Sequence, residues 1–177
     1  VIAFQLSSAI IKSRKGDAMI KYSCLSSKLG VITFIERGGE LVALNVGDAP
    51  NYPASAAPAN TRVLSAAKKQ MREYLGGKRK EFDLPIAPIG TKFQQSVWRA
   101  LLKIPFGKTV SYADIANSVE KPKGQRAVGG AVGKNPIPII IPCHRVIATS
   151  GKLGGFSLGL PMKRKLLCLE MPLKFLP

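Results

Sequence analysis

The spacing of apolar and polar positions changes character midway along the chain. Residues 18–25, 29–36 and 41–47 are short runs rich in Ile, Val, Leu, Tyr and Phe. Turn-forming residues part them, Ser26-Ser27-Lys28 and Arg37-Gly38-Gly39-Glu40, and the pattern predicts a three-stranded antiparallel meander. Asp48–Asn60, rich in Ala, Pro and Asn, reads as a loop. A helix is expected from Thr61 to Leu75, closed by Gly76-Gly77, with Lys78-Arg79-Lys80 as a solvated basic turn. Leu84–Gly90, punctuated by Pro85 and Pro88, reads as an interdomain connection. The expected organisation is an N-terminal domain over 1–84, a linker over 85–90 and a second domain over 91–177.

The second half reads as mostly helical. Thr91 can cap a helix whose apolar face is Phe93, Val97, Trp98, Leu101 and Leu102, stopped by Ile104-Pro105-Phe106-Gly107. Two short helices, about Ser111–Val119 and Gly124–Gly133, flank Glu120-Lys121-Pro122-Lys123, a spacing that suits a helix-turn-helix. The second of them, Arg126-Ala127-Val128-Gly129-Gly130-Ala131-Val132-Gly133, is nearly without bulk. Its glycines cost roughly 1 kcal/mol each against alanine, so they need a reason. Two reasons stand level: close packing on a neighbouring helix, or close approach of the backbone to nucleic acid with Arg126 as the long side chain at the helix start. Asn135–Pro142 reads as a buried extended rail, because its prolines forbid a helix. A glycine-rich loop, Thr149–Ser157, follows, and a last helix begins near Pro161.

Charge narrows the partners. The 177 residues carry 27 Lys and Arg against 10 Asp and Glu, a formal net charge of +17. Residues 85–177 hold 14 of those bases and only 3 of the acids. Such a field favours a polyanion, with nucleic acid ahead of an anionic membrane surface, and solubility or habitat as the bland alternative. No apolar run is long enough to span a bilayer, and Val1–Phe4 has no basic stretch ahead of it, so neither membrane residence nor a secretory signal is expected. Three cysteines without close spacing argue against a disulfide framework and for a reducing, intracellular setting. One histidine and no C-x-x-C pair leave no recognisable metal site.

The only histidine, His144, directly follows Cys143. A thiol beside an imidazole can make a nucleophile at neutral pH if the thiol pKa falls by about two units from its ordinary ~8.5. On a wheel of the last helix Met162, Leu166, Leu167 and Leu169 define the buried arc. Glu170 falls within it and Lys163 lies nearby. A buried carboxylate needs a partner, and His144 would complete a Cys–His–Glu relay.

These residues together resemble the O6-alkylguanine-DNA alkyltransferases, including the C-terminal half of the Ada protein. The matches are Phe93-Gln94-Gln95 with Val97-Trp98, Ile104-Pro105 with Gly107, Val110-Ser111-Tyr112, Arg126–Ala131, Asn135-Pro136, and Ile141-Pro142-Cys143-His144-Arg145-Val146. The loop Gly151–Ser157 and Leu166-Leu167 with Glu170 complete the series. The resemblance implies an α/β protein: an N-terminal ribonuclease-H-like domain with the three-stranded antiparallel sheet, then a mostly helical domain with a helix-turn-helix. It implies a monomeric repair protein, in the cytoplasm and nucleoid or in a nucleus, that binds double-stranded DNA through the minor groove. There it would flip out O6-alkylguanine, with O4-alkylthymine as a further candidate, and move the alkyl group irreversibly to Cys143, once per molecule, with no cofactor.

Roles follow by position. His144 would take the thiol proton through water and Glu170 would polarise it. Tyr112 would hydrogen-bond or protonate the departing guanine, and Asn135 would brace the active-site turn. Carbonyls at Cys143 and Val146 would accept from the guanine amine; Ser157 and Lys163 match the family's contacts near O6, and Phe156 stands where many relatives have tyrosine. Arg126 would fill the gap left by the flipped base, with Ala127, Gly129, Gly130, Ser111 and Lys123 on the DNA side. Leu158 occupies a pocket-lip position that varies with tolerance for bulky adducts. Three rivals stand beside this reading: a non-catalytic binder of alkylated DNA, which would lack the acceptor cysteine; a thiol hydrolase; and a plain helix-turn-helix regulator.

Overall fold

The computed structural model describes residues 18–171. The expectations for Val1–Phe4 and for the outer ends of both domains lie outside the described residues. The chain divides into two compact units between Ile89 and Gly90.

The first unit is built on three strands, β1 (Ile20–Ser27), β2 (Gly30–Arg37) and β3 (Glu40–Gly47), paired as an antiparallel meander. Its first turn is Lys28-Leu29, one residue later than the polar run predicts. Gly38 and Gly39 both take positive φ in the second, a conformation glycine adopts without a Cβ penalty. The loop expected over 48–60 contains a two-residue strand, β4 (Ala57–Pro58), which adds to β1 in parallel and makes the order β3-β2-β1-β4. Proline is tolerated there because β4 is an edge. Helix α1 (Arg62–Leu75) is capped by Thr61, whose hydroxyl accepts from Leu64 N. It packs on β1–β3 through Leu64, Ala67, Met71, Tyr74 and Leu75. Ile20, Ile35, Val42 and Ala43 form a second cluster covered by Tyr22, Ala56, Ala87 and Ile89. With apolar cover on both sides, β2 and β3 are buried along most of their length. The segment read as a linker is tied down: Leu41 N donates to the Pro85 carbonyl (2.9 Å) and Ala87 N to the Leu41 carbonyl (2.8 Å).

The second unit holds α2 (Lys92–Leu102), β5 (Val110–Ser111), α3 (Tyr112–Ser118), α4 (Gln125–Gly133), a 3-10 turn (Cys143–Arg145), β6 (Val146–Ile147) and α5 (Leu160–Glu170). A full capping box starts α2: Thr91 Oγ1 accepts from Gln94 N, and Gln94 Oε1 accepts from Thr91 N at 2.8 Å. Val97, Trp98 and Leu101 are buried, but Leu102, the last helical residue, stays 45% exposed because its angle carries it past the packed stripe. Trp98 Nε1 donates to the Ala131 carbonyl at 2.9 Å, fixing α4 against α2. Helices α3 and α4 form the expected helix-turn-helix, with Glu120 in the left-handed region (φ 57°) at the break. A parallel ladder, Val110↔Val146 and Ser111↔Ile147, then sets the start of α3 beside the chain that follows the 3-10 turn. No helix among the described residues is long and apolar enough to cross a membrane.

Candidate active site

Asn135–Pro142 is not the extended rail that its sequence predicts. Asn135, fully buried, folds it into turns by taking the hydrogen bonds a partner strand would otherwise supply. Its Oδ1 accepts from Ile137 N (3.0 Å), while its Nδ2 donates to the Ile141 carbonyl (2.8 Å) and to Cys143 Sγ (3.0 Å). Pro142, at φ −80° and ψ 61°, centres an inverse γ-turn closed by Cys143 N donating to the Ile141 carbonyl at 2.8 Å. Ile139 is held at φ 74°, an outlier for a β-branched residue, so the surrounding core over-determines this turn. The product is a buried Cys143, 2% exposed, at the start of the 3-10 turn.

The thiol is not a standing thiolate. Burial pushes the Cys143 pKa up to about 11, against the opposing pull of the Asn135 amide, backbone N–H groups and Lys163. The expected lowering is therefore absent at rest. What the site offers is a set of donors already aimed at the sulfur, which gain strength as negative charge develops there.

His144 and Glu170 meet as the helical wheel predicts. His144 Nε2 lies 2.9 Å from Glu170 Oε1, both side chains fully shielded from solvent. Burial acts to raise the Glu170 pKa, but hydrogen bonds from His144 and Arg145 overturn it and hold the carboxyl well below the usual range. An ionised carboxylate only accepts, so Nε2 carries the proton and Nδ1 keeps its lone pair. That Nδ1 is buried and makes no hydrogen bond within the described residues. Burial also draws the His144 pKa down, so the ring is neutral near pH 7.

Arg145 completes the cluster, and sequence reasoning gave it no role. It grips Glu170 with two nitrogens, Nε to Oε2 at 2.8 Å and a terminal nitrogen to Oε1 at 2.9 Å, while its other terminal nitrogen donates to the Ile104 carbonyl at 2.6 Å. Gly107 N adds a donor to Oε2 at 3.3 Å. The signal that could have found it is the demand of a buried carboxylate for compensating charge, which one neutral imidazole does not meet.

Lys163 is fully buried, and the buried arc of α5 is Lys163, Leu166, Leu167 and Glu170, with Met162 and Leu169 only half-buried. The arc is rotated from the apolar wheel because backbone carbonyls satisfy the ammonium inside the fold. Its Nζ donates to the carbonyls of Val146 (2.5 Å), Leu153 and Gly155 (3.3 Å). Tyr112, half-buried at the start of α3, donates to the same Gly155 carbonyl at 3.4 Å. Burial, then the nearby Cys143, raises its pKa. Phe156 presents a ring edgewise to His144 at 6.5 Å, and Ser157 Oγ is buried without a partner among the described residues.

The candidate DNA-side residues share the outer side of the helix-turn-helix. Lys123, Arg126, Ala127 and Gly130 are exposed and Gly129 is half-buried, while Val128, Ala131 and Val132 point inward. A Cβ on Gly130 or Gly133 would meet nothing within 4 Å, and one on Gly129 would only touch Tyr112 at 3.9 Å. Packing inside the protein therefore does not require these glycines. The Ser111 hydroxyl is engaged as the cap of α3, accepting from Asp114 N (3.1 Å) and donating to Asp114 Oδ2 (2.8 Å). Among the described residues no group of acids, histidines and cysteines could hold a metal ion.

Comparison with known proteins finds two family matches. One is the 6-O-methylguanine DNA methyltransferase ribonuclease-like domain over residues 20–88, the other the DNA binding domain of the same family over residues 92–172. A methylated-DNA–protein-cysteine methyltransferase of Mycolicibacterium paratuberculosis is 42% identical over 153 residues, 86% of this chain and 93% of that protein. The protein so named in Methanosarcina barkeri is 52% identical over 111 residues, covering 63% of this chain and 70% of its own. Among solved structures, that of Mycobacterium tuberculosis OGT in complex with DNA matches with a TM-score of 0.79 at 43% identity, covering 85% of this chain and 92% of that one.

Proposed function

This chain belongs to the 6-O-methylguanine DNA methyltransferase family, and on that footing we propose that it repairs DNA by moving the O6-alkyl group of a guanine onto Cys143. The observation that carries the reading is the Asn135–Cys143 and His144–Glu170–Arg145 arrangement. It stores a neutral thiol beside a neutral imidazole whose basic nitrogen is unengaged.

Transfer needs the thiol proton to leave as sulfur attacks the alkyl carbon. His144 Nδ1 takes it through water, and the imidazolium that forms is stabilised by Glu170. The S–C bond forms as the C–O6 bond breaks, and the electron pair goes to guanine. Tyr112 donates to the departing base, which spares it negative charge. The Cys143 and Val146 carbonyls accept from its exocyclic amine, and Ser157 and Phe156 line the O6 side. The thioether is stable and no group in the site can remove it, so each molecule acts once. O6-alkylguanine is the principal substrate and O4-alkylthymine a secondary one.

A base inside the stack cannot reach a buried thiol, so the target must be flipped at a cost of a few kcal/mol, least for a damaged pair. Helix α4 enters the minor groove, where the bare Gly129 and Gly130 let its backbone approach. Arg126 fills the gap left by the base. Lys123 and the capped N-terminus of α3 at Ser111 face phosphate, and Ala127 lies against the sugar edge. The protein acts as a monomer, inside the cell where its DNA is.

Incubation with duplex DNA containing O6-methylguanine should add one methyl to Cys143, measured by intact mass and peptide mapping. An unchanged mass with a thiol that still reacts would overturn the proposal. Arg126→Ala should slow repair of the duplex on the order of tenfold to a hundredfold, about 1–3 kcal/mol, while sparing reaction with the free base. Equal losses on both substrates would remove Arg126 from the flipping step.

A further inference from the structure

Resting on the reading above, we infer that Lys163 is a positioning residue, a clip that fixes the glycine-rich loop to the active-site strand rather than a group that touches the alkylated base. An ammonium has three N–H donors and no acceptor. Lys163 directs donors at three backbone carbonyls, Val146 on β6 and Leu153 and Gly155 in the loop, which leaves no N–H for O6. Its side chain is fully buried, so a substrate atom could engage Nζ only by displacing one of these carbonyls.

The clip reaches the chemistry at two places. Val146 O is the carbonyl assigned to the guanine amine, and its second lone pair remains free for that bond. Gly155 O also accepts from Tyr112, so one loop carbonyl sets the phenol and the ammonium together. The loop lies close on the phenol ring: a Cβ on Gly154, which sits at φ +65°, would come within 3.1 Å of Tyr112 Cε2. Removal of the Lys163 ammonium therefore frees the wall of the pocket and the phenol that donates to the leaving base, although the ammonium itself never touches substrate.

Two measurements decide it. In the DNA-free protein, the Lys163 ammonium should give a slowly exchanging NMR signal with through-hydrogen-bond couplings to the carbonyl carbons of Val146 and Leu153. An ammonium signal with no such couplings would overturn the clip, and this experiment needs no variant to fold. Lys163→Met keeps the length but no donor; amide exchange over residues 148–157 of the free variant should quicken at least about tenfold, as local unfolding costs less. With O6-methylguanine duplex, the variant should saturate at higher DNA and also transfer more slowly at saturation. Slower transfer with unchanged loop exchange would place Lys163 on the substrate instead. Faster exchange with unaltered transfer would deny it any positioning role. Failure of wild-type protein to take up a methyl would sink the repair reading alone, since couplings and loop exchange are read without DNA.

Discussion

A thiol held near pKa 11 is ionised at pH 7 to about one part in ten thousand, so the proposed transfer to Cys143 requires a base at the moment of attack. That dependence gives a pH profile with a definite sign. His144 accepts a proton only while neutral, and burial places its pKa below the ordinary 6.5. The single-turnover rate constant for methyl transfer should therefore hold level from neutrality down to about pH 6.5 and fall only below it. Glu170→Gln removes the carboxylate that raises the His144 pKa, so the acid limb should move to lower pH and the plateau rate should drop. A limb centred above pH 7 would mean that some other group takes the proton. The same substitution leaves Arg145 buried beside an uncharged amide and should cost about 3–5 kcal/mol of stability, read by denaturant unfolding. In wild type, Glu170 has a native pKa far below its unfolded 4.5. Its stabilising contribution is thus complete above about pH 4.5 and is lost progressively as pH falls below that value. The pairing of His144 with Glu170 was legible, because one lies beside the cysteine and the other falls on a helical arc that must be buried. Arg145 was given no role, and Lys163 was placed beside that arc and in the site but not read as buried. Their burial depends on acceptors from distant segments, the Ile104, Leu153 and Gly155 carbonyls, which no local period reports.

At the scale of elements, α4 carries a cost that its own fold does not explain. Glycine at 130 lowers helix stability by roughly 1 kcal/mol against alanine, and the space beside it is open. Gly130→Leu should accordingly leave the fold intact or more stable, with thermal midpoint unchanged or raised. Repair of O6-methylguanine in duplex DNA should fall by at least about tenfold as the added side chain holds the backbone out of the groove, while transfer from the free base stays unchanged. A variant that repairs duplex as well as wild type would return the glycine to an accident of composition. Strands β1–β3 and helices α1–α5 followed from local signals (period, caps, the break at 120–123 and Pro161), since each is decided by neighbours within a turn or a pleat. The turns before Cys143 and the two-residue strands β4, β5 and β6 escaped for physical reasons. Alternating Ile and Pro before Cys143 read as extended, yet Asn135 substitutes its own amide for a strand partner and a positive φ at Ile139 turns the chain. The two-residue β4, β5 and β6 are too short to have a period at all and exist only through their pairing, β4 on the edge of β1 and β5 with β6.

Over the whole molecule, 10 acidic side chains balance the charge of only 10 of the 27 basic ones, so a net excess of 17 positive charges remains however the surface is arranged. Two accounts of that excess give different numbers. If the charge serves solubility or habitat, few of these residues meet phosphate and salt should weaken DNA binding only slightly. If it serves DNA scanning, a footprint of roughly six phosphates gives a slope of about −5 in log K against log salt, close to a thousandfold loss from 50 to 200 mM. That loss should be nearly the same for undamaged and alkylated duplexes, because phosphate contacts carry no lesion information. Methyl transfer from the free base should be insensitive to the same salt, since the buried thiol and its base lie beyond a surface field that salt screens within about 10 Å. Fluorescence anisotropy of a labelled duplex across that range separates the accounts. A slope shallower than about −2 would assign most of the +17 to something other than DNA. A steep slope for the damaged duplex alone would place the charge at the lesion pocket, where the structure buries Lys163 under three carbonyls.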